Sequence, residues 1–421
     1  MTTMLPEKIP QLEVAIDGAA LGQLIKRSIY EFRYMDPKPD QATVALLMPA
    51  SMQATWQDGD LFPVMDQNLP EGDLFMRLRA MFPKQSMTPM HLLALVGANG
   101  IGRLGYRLPG DASPAPQAPP MSRETLLRTA FTPQVFDELV QAYLSTGAGI
   151  AGVQPKIMVP DRPTMPVPSL IVKAAGPAYP GLAANEYLCL KAAQRAGIAT
   201  PTFELSDDGQ MLVLDRFDLR HGNDGRIERL GFEDIAALVG LRVRDVLSDR
   251  KYQGSYQRVA ELLKQLQLPR ENLHRFFEQV AFTLMVRNGD GHLKNFGVLY
   301  RSANEAWLAP MFDVVTTSIY RYTRYDGGPE LEDRRLALKL FAGKGQTKAY
   351  PTTEELCTFG RKVCEVSQPT DVLQRIAAAM TEVLSAAKGD ARIPSELLVK
   401  IETAWQEGMA HAMKSPAPGK V

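Results

Sequence analysis

In the segment Arg287-Asn288-Gly289-Asp290-Gly291-His292-Leu293-Lys294-Asn295, an aspartate is followed five positions later by an asparagine. The same D-x-x-x-x-N spacing occurs in protein-kinase catalytic loops, where the carboxylate accepts the proton of an acceptor hydroxyl and the amide oxygen turns to a metal ion. A metal bridging nucleotide phosphates usually takes one or two carboxylates and completes its octahedron with water. Asp313, in the apolar run APMFDVV, supplies such a carboxylate and is expected on a strand that follows a hairpin. The chemistry spelled out is phosphoryl transfer, with Asp290 as base and Asn295 and Asp313 as metal ligands. Asn-Gly and Asp-Gly are also the commonest turn dipeptides. A plain turn explains NGDGH but not the asparagine and second aspartate beside it. His292 is either a solvated loop residue or a phosphate contact.

Two upstream groups fit the same chemistry. GAGIAGVQPK (Gly147 to Lys156) is rich in glycine and small residues that allow backbone to approach phosphates closely. It lacks the GK[ST] of a Walker A loop, and taken alone such a loop is more often structural. Lys173, flanked by apolar residues in LIVKA, needs a partner for a charge in a mostly buried strand. ATP phosphates would provide one, and so would Glu186 on the next helix. A surface ion pair between the two carries equal weight. In VLDRFD, Asp215, Arg216 and Phe217 end a strand at the point where, in a two-lobed kinase, the chain borders the adenine. For Arg216 a solvated strand-end charge is the simpler expectation.

The elements that must position these residues follow from periodicity. LEVAIDG, TVALLMP and GRLGYRL read as strands, and LFMRLRAMF and MTPMHLLALVG as helices, giving a compact α+β unit over residues 1–110. A proline-rich stretch makes 111–130 a linker. Thr132-Pro133 opens an amphipathic helix, then KIMV, SLIVKA and QMLVLDRFD read as strands around the helix ANEYLCLKAAQRAGI, closed by Gly197. Residues 131–218 thus form a small sheet lobe. From Phe232 the chain turns helical, and 219–421 form a larger helical lobe carrying the Asp290 loop and Asp313.

The chain has 421 residues, 45% hydrophobic and 22% charged, enough for two or three packed units and too apolar for wholesale disorder. Lys plus Arg and Asp plus Glu both number 47, so no global field draws in nucleic acid or anionic membrane. The three cysteines, Cys189, Cys357 and Cys364, have no metal-ligand spacing and form no disulfide framework, as befits a reducing cytoplasm. No signal peptide or membrane span is expected.

The chain resembles the HipA family of bacterial toxin kinases. The resemblance rests on GVQPK (Gly152 to Lys156), IVK (Ile171 to Lys173), NEY (Asn185 to Tyr187), LDRFD, NGDGHLKNF and LAPMFDV, with LMPASMQ and DQNLPEGDLFMRLRAMF upstream. It implies an α+β, two-lobed, protein-kinase-like fold with an additional N-terminal subdomain, and serine/threonine phosphoryl transfer using ATP and magnesium. It also implies a helix-turn-helix antitoxin like HipB and through it operator DNA. The protein substrate is an aminoacyl-tRNA synthetase in the best-known members. Carried over by motif, Asp290 is the catalytic base, and Asn295 and Asp313 hold the metal. Ala151, Gly152, Val153, Gln154, Pro155 and Lys156 form the phosphate loop, with Lys173 on phosphate. Asp215, Arg216 and Phe217 border the adenine, and His292, Leu293, Lys294 and Asn295 line the nucleotide. Family members commonly carry an autophosphorylated serine in S-I-A-G or S-I-S-G, whereas this chain has Gly149-Ile150-Ala151-Gly152. Two other readings stand beside this one: a small-molecule kinase of aminoglycoside-phosphotransferase type, and a non-catalytic antitoxin-binding corepressor.

Overall fold

A computed structural model describes residues 5–38, 42–70, 75, 86–111, 121–135, 137–139, 156–161, 167–174, 179–222, 226–242, 248–322, 331–332 and 334–413. The phosphate-loop residues Ala151 to Pro155, the Gly149 position and residues 112–120 of the expected linker lie outside them, while the end of that stretch is not linker but the helix Arg123–Arg128. The fold is mixed α and β and divides into two units. The first comprises residues 1–174, 213–250 and 297–306; the second comprises 175–212, 251–296 and 307–421.

The first unit begins with a five-stranded antiparallel sheet in the order Thr55–Asp58, Tyr30–Tyr34, Ala19–Lys26, Gln11–Ile16, Leu104–Arg107. Alternation in QLEVAI buries Leu12 and Val14 on one face. Ile16 pairs with Ala19, leaving Asp17-Gly18 as a two-residue hairpin loop with φ of 49° and 80°. Aspartate and glycine tolerate that left-handed backbone, and such loops match the twist of paired strands. The helix Pro89–Val96 is capped by Thr88 and packs with the sheet in one apolar core.

TVALLMP is not a strand. Residues 43–49 form turns whose polar backbone is taken up by buried side chains. The Tyr34 hydroxyl accepts from the Val44 N–H at 2.8 Å and donates to the Met48 carbonyl at 2.5 Å. Leu46 N–H donates to the Glu233 carboxylate at 2.6 Å. A buried apolar run can thus avoid pairing when side chains satisfy its backbone.

Later in the first unit, Lys156–Val159 and Leu170–Ala174 pair antiparallel, every residue in them buried. Gly231–Asp234, expected within a helix, pairs with Gly297–Tyr300, and only Ile235–Leu238 is helical beyond it. Arg216 joins these strands to the N-terminal part. Its guanidinium donates to the carbonyls of Asn99 (2.9 Å), Gly100 (2.7 Å) and Pro168 (3.2 Å) and pairs with Asp218 at 2.6 Å, both side chains at 0% exposure. Asp218 in turn accepts from Gly102 N–H at 2.7 Å, and Arg229 donates to the carbonyls of Gly100 and Gly102. A solvated strand-end charge is therefore the wrong description of Arg216. A guanidinium has five donors, and here three backbone carbonyls and the Asp218 carboxylate absorb them.

The second unit is mostly helical: Leu182–Arg195, Tyr256–Gln265, Arg270–Met285, Pro369–Ala387 and Ser395–Ala412. The helix Ser395–Ala412 crosses the end of Arg270–Met285 at Gly408, where a Cβ would sit 1.9 Å from the Met285 carbonyl oxygen. Only glycine permits that crossing. Among the described residues, no helix is long and apolar enough to cross a membrane.

Candidate active site

The Asp290 loop begins where Arg270–Met285 ends. Asn288 N–H reaches back to the Thr283 carbonyl at 3.0 Å, and Arg287 takes φ of 57° to turn the chain out of the helix. Thr317 then brackets the turn, accepting from Gly289 N–H at 2.7 Å and donating to the Arg287 carbonyl at 3.2 Å. Asp290 N–H is taken by the Asn288 side chain at 2.9 Å. Gly291 is required by close approach: a Cβ there would lie 2.6 Å from Thr283 Cγ2 and 3.1 Å from the Tyr256 hydroxyl. That hydroxyl donates to the Gly291 carbonyl at 2.9 Å. The loop backbone is thereby fixed at successive residues, while the Asp290 side chain keeps 48% exposure.

His292 is buried, its ring edge-on to Tyr252 at 5.1 Å and its Nε2 3.9 Å from Asp290 Oδ1. Burial first, then the nearby Lys251 and Lys294 charges, hold its pKa well below the ordinary histidine value, so the ring is neutral at physiological pH. It is not a solvated loop residue. Among the described residues, its buried Nδ1 has no hydrogen-bond partner.

Asn295 ends the short helical turn Leu293–Asn295. Its Oδ1 accepts from His292 N–H at 3.1 Å, and its Nδ2 lies 3.5 Å from the Asp313 carbonyl, so the structure brings Asn295 and the Asp313 backbone together. Asp313 itself is not on a strand. It sits in a bend with φ of 52°, a conformation that aspartate tolerates better than most residues. Side chains hold the backbone before it. Asn272 Oδ1 accepts from Leu308 N–H at 2.9 Å, Gln279 donates to the Ala309 carbonyl at 2.9 Å, and Met311 N–H donates to the Ala199 carbonyl at 2.7 Å. Beyond it, the Asn185 amide grips Thr316 twice, accepting from its N–H at 2.9 Å and donating to its carbonyl at 3.1 Å. Trp405 Nε1–H donates to Thr316 Oγ1 at 2.7 Å. An amide oxygen with a second lone pair and a carboxylate are hard oxygen donors, a set that fits Mg²⁺ with waters completing the shell.

In the first unit, Lys156 and Lys173 are directly opposed cross-strand partners, so their side chains share a face, and both are buried. Glu186, in the second unit, is buried as well, so neither Lys173 nor Glu186 is the surface residue that an exposed ion pair requires. Asp215 pairs with Arg123, and Phe217 meets Phe232 edge-on at 5.2 Å. Arg216 N–H is already committed to the Ser169 carbonyl at 2.9 Å.

Comparison with known proteins places these observations. Residues 12–107 match the family model of the HipA N-terminal domain, and residues 148–388 that of the HipA-like C-terminal domain. Two Sinorhizobium fredii proteins are similar in sequence. "Putative kinase Y4mE" is 27% identical over 64% of this chain and 65% of its own length, and "Putative kinase Y4dM" is 28% identical over 36% and 38%. The chain thus spans less than two thirds of either. A chain in the complex of HipA, HipB and operator DNA from Shewanella oneidensis MR-1 shares the fold, with TM-score 0.70 over 95% of this chain and 96% of that one at 17% identity.

Proposed function

Because the chain belongs to the HipA family, we propose that it is an ATP- and Mg²⁺-dependent serine/threonine protein kinase, the toxin of a toxin–antitoxin pair, with a two-lobed kinase-like organisation. The observation that carries this reading is the half-exposed Asp290 on a pinned loop, with Asn295 drawn to Asp313 on the same unit. Asp290 takes the proton of a protein hydroxyl as that oxygen bonds to the γ-phosphorus and the bridging bond to ADP breaks. Asn295 and Asp313 hold the metal that offsets phosphate charge. Lys156 and Lys173, two ammonium groups on one face of a buried ladder, favour an anion between them, and the phosphates supply it. Ala151 to Pro155 complete the phosphate loop, Asp215 to Phe217 border the adenine, and His292 to Lys294 line the nucleotide.

A helix-turn-helix antitoxin bound to operator DNA is the proposed partner, by analogy with the Shewanella complex. The substrate is a translation-related protein, and the protein works in the cytoplasm. With glycine and alanine at 149 and 151, restraint falls chiefly to that partner. The test is calorimetric titration of ATP with and without magnesium. Asp313→Ala should weaken magnesium-dependent binding by roughly 1.5–3 kcal/mol, about ten- to a hundredfold. Equal affinity in the two proteins removes Asp313 from the site.

A further inference from the structure

Tyr252 lies far from the Asp290 loop in sequence, yet its hydroxyl donates to Asp290 Oδ1 at 2.5 Å. The phenol is itself held: Lys348 Nζ donates to the Tyr252 carbonyl at 2.9 Å, the ammonium groups of Lys251 and Lys348 lie 5.3 and 5.7 Å from the ring centroid, and His292 packs against the ring. Four residues on, at the start of the next helix, Tyr256 grips the backbone of the adjacent Gly291. The two tyrosines divide the work, one fixing the loop and the other the carboxylate it carries. A carboxylate torsion is broad and roughly two-fold, so Asp290 on a fixed backbone still has an unfixed plane. A charge-assisted O–H···O⁻ bond selects one orientation.

We propose that Tyr252 is a positioning residue for phosphoryl transfer, its hydroxyl holding one oxygen of Asp290 so that the carboxylate presents a fixed edge to the acceptor hydroxyl. The proposal rests on the kinase reading of Asp290. Tyr256 and His292 also neighbour this carboxylate, the His292 Nε2 standing 3.9 Å from the oxygen that Tyr252 holds, while the charges of Lys251, Lys294 and Asp313 act on the His292 ring.

The experiment compares the full-length wild type with Tyr252→Phe, which keeps the ring and removes only the donor. Transfer from labelled Mg–ATP to casein is followed at varied ATP. A misoriented reacting group costs up to about a hundredfold, so we expect kcat to fall roughly ten- to a hundredfold while the KM for ATP stays within about twofold. Unchanged kcat, or a loss confined to KM, overturns the proposal. A higher kcat in Tyr252→Phe, or phosphate on Tyr252 in the wild type, also overturns it, because the phenol would then occupy the acceptor's place. A second measurement needs no turnover: with ¹³Cζ-labelled tyrosine, the Tyr252 signal should move in Asp290→Ala, and an unmoved signal refutes the contact. A wild type that transfers nothing sinks the kinase reading and this role with it. An active wild type with an equally active Tyr252→Phe sinks only the role of Tyr252.

Discussion

The Arg216 cluster and the Asp290 loop both concentrate polar groups, but they spend them differently. Around Arg216 the charges themselves are sealed, with guanidinium and carboxylate at 0% exposure and donors directed at backbone carbonyls. Around Asp290 the backbone is sealed while the charge stays half exposed. The first arrangement holds a fold together. The second immobilises the backbone that carries a carboxylate while leaving the charge accessible, the arrangement that the role proposed for Asp290 requires.

The sharpest way to break this comparison is to neutralise each carboxylate or guanidinium and ask which property fails. Asp290→Gln should cut transfer by about 10³-fold, near the middle of the range for general-base removal, and leave Mg–ATP affinity and urea unfolding nearly unchanged. Full transfer in this variant would end the mechanism. Arg216→Ala should do the reverse. Replacing a buried ion pair by apolar groups can be neutral, but removing one partner strands the other, at about 3–5 kcal/mol. Urea denaturation reads that loss directly, and a cost below about 1 kcal/mol would show the cluster to be dispensable.

A smaller effect distinguishes buried charge from exposed charge by pH. Burial pushes the Glu233 carboxyl up to about 7, against the hydrogen bonds from Leu46 N–H and Tyr300. The unfolded chain releases this proton near the ordinary glutamate value and the folded chain only near 7, so between those values the folded state holds more protons. Stability should therefore be greatest on the acid side and fall by about 3 kcal/mol as pH rises through the window. In Glu233→Gln this dependence should disappear, leaving the variant the more stable at pH near 8. Superimposable pH–stability curves for the two proteins would contradict the assignment.

Most of the strands and helices were legible because they obey a period: QLEVAI, KIMV, LIVKA and the long helices appear close to where the pattern put them. An aspartate following the Asp290–Asn295 pair after a hairpin was expected from the sequence, and the Asp313 backbone does lie beside the Asn295 amide. What escaped were single polar residues whose partners are distant in sequence. Nothing local marks Thr317 as the bracket of Gly289, Asn185 as the grip on Thr316, Arg123 as the partner of Asp215, or Tyr252 as the donor to Asp290. Arg216 and the run after Thr43 misled for a related reason. Burial of a charge, or of an unpaired backbone, depends on carbonyls and hydroxyls brought in from elsewhere.

The close crossing at Gly408 has a bearing on how the site is made. The end of the helix that carries the Asp290 loop is backed by the Met285–Gly408 crossing, and Thr316 is tied to Trp405. Both supports belong to a helix, Ser395–Ala412, that is synthesised more than a hundred residues after the loop. At roughly 5–20 residues per second, the Asp290 carboxylate waits several seconds or more on a loop without its backstop. In each new molecule, geometric competence is thus among the last properties to be acquired.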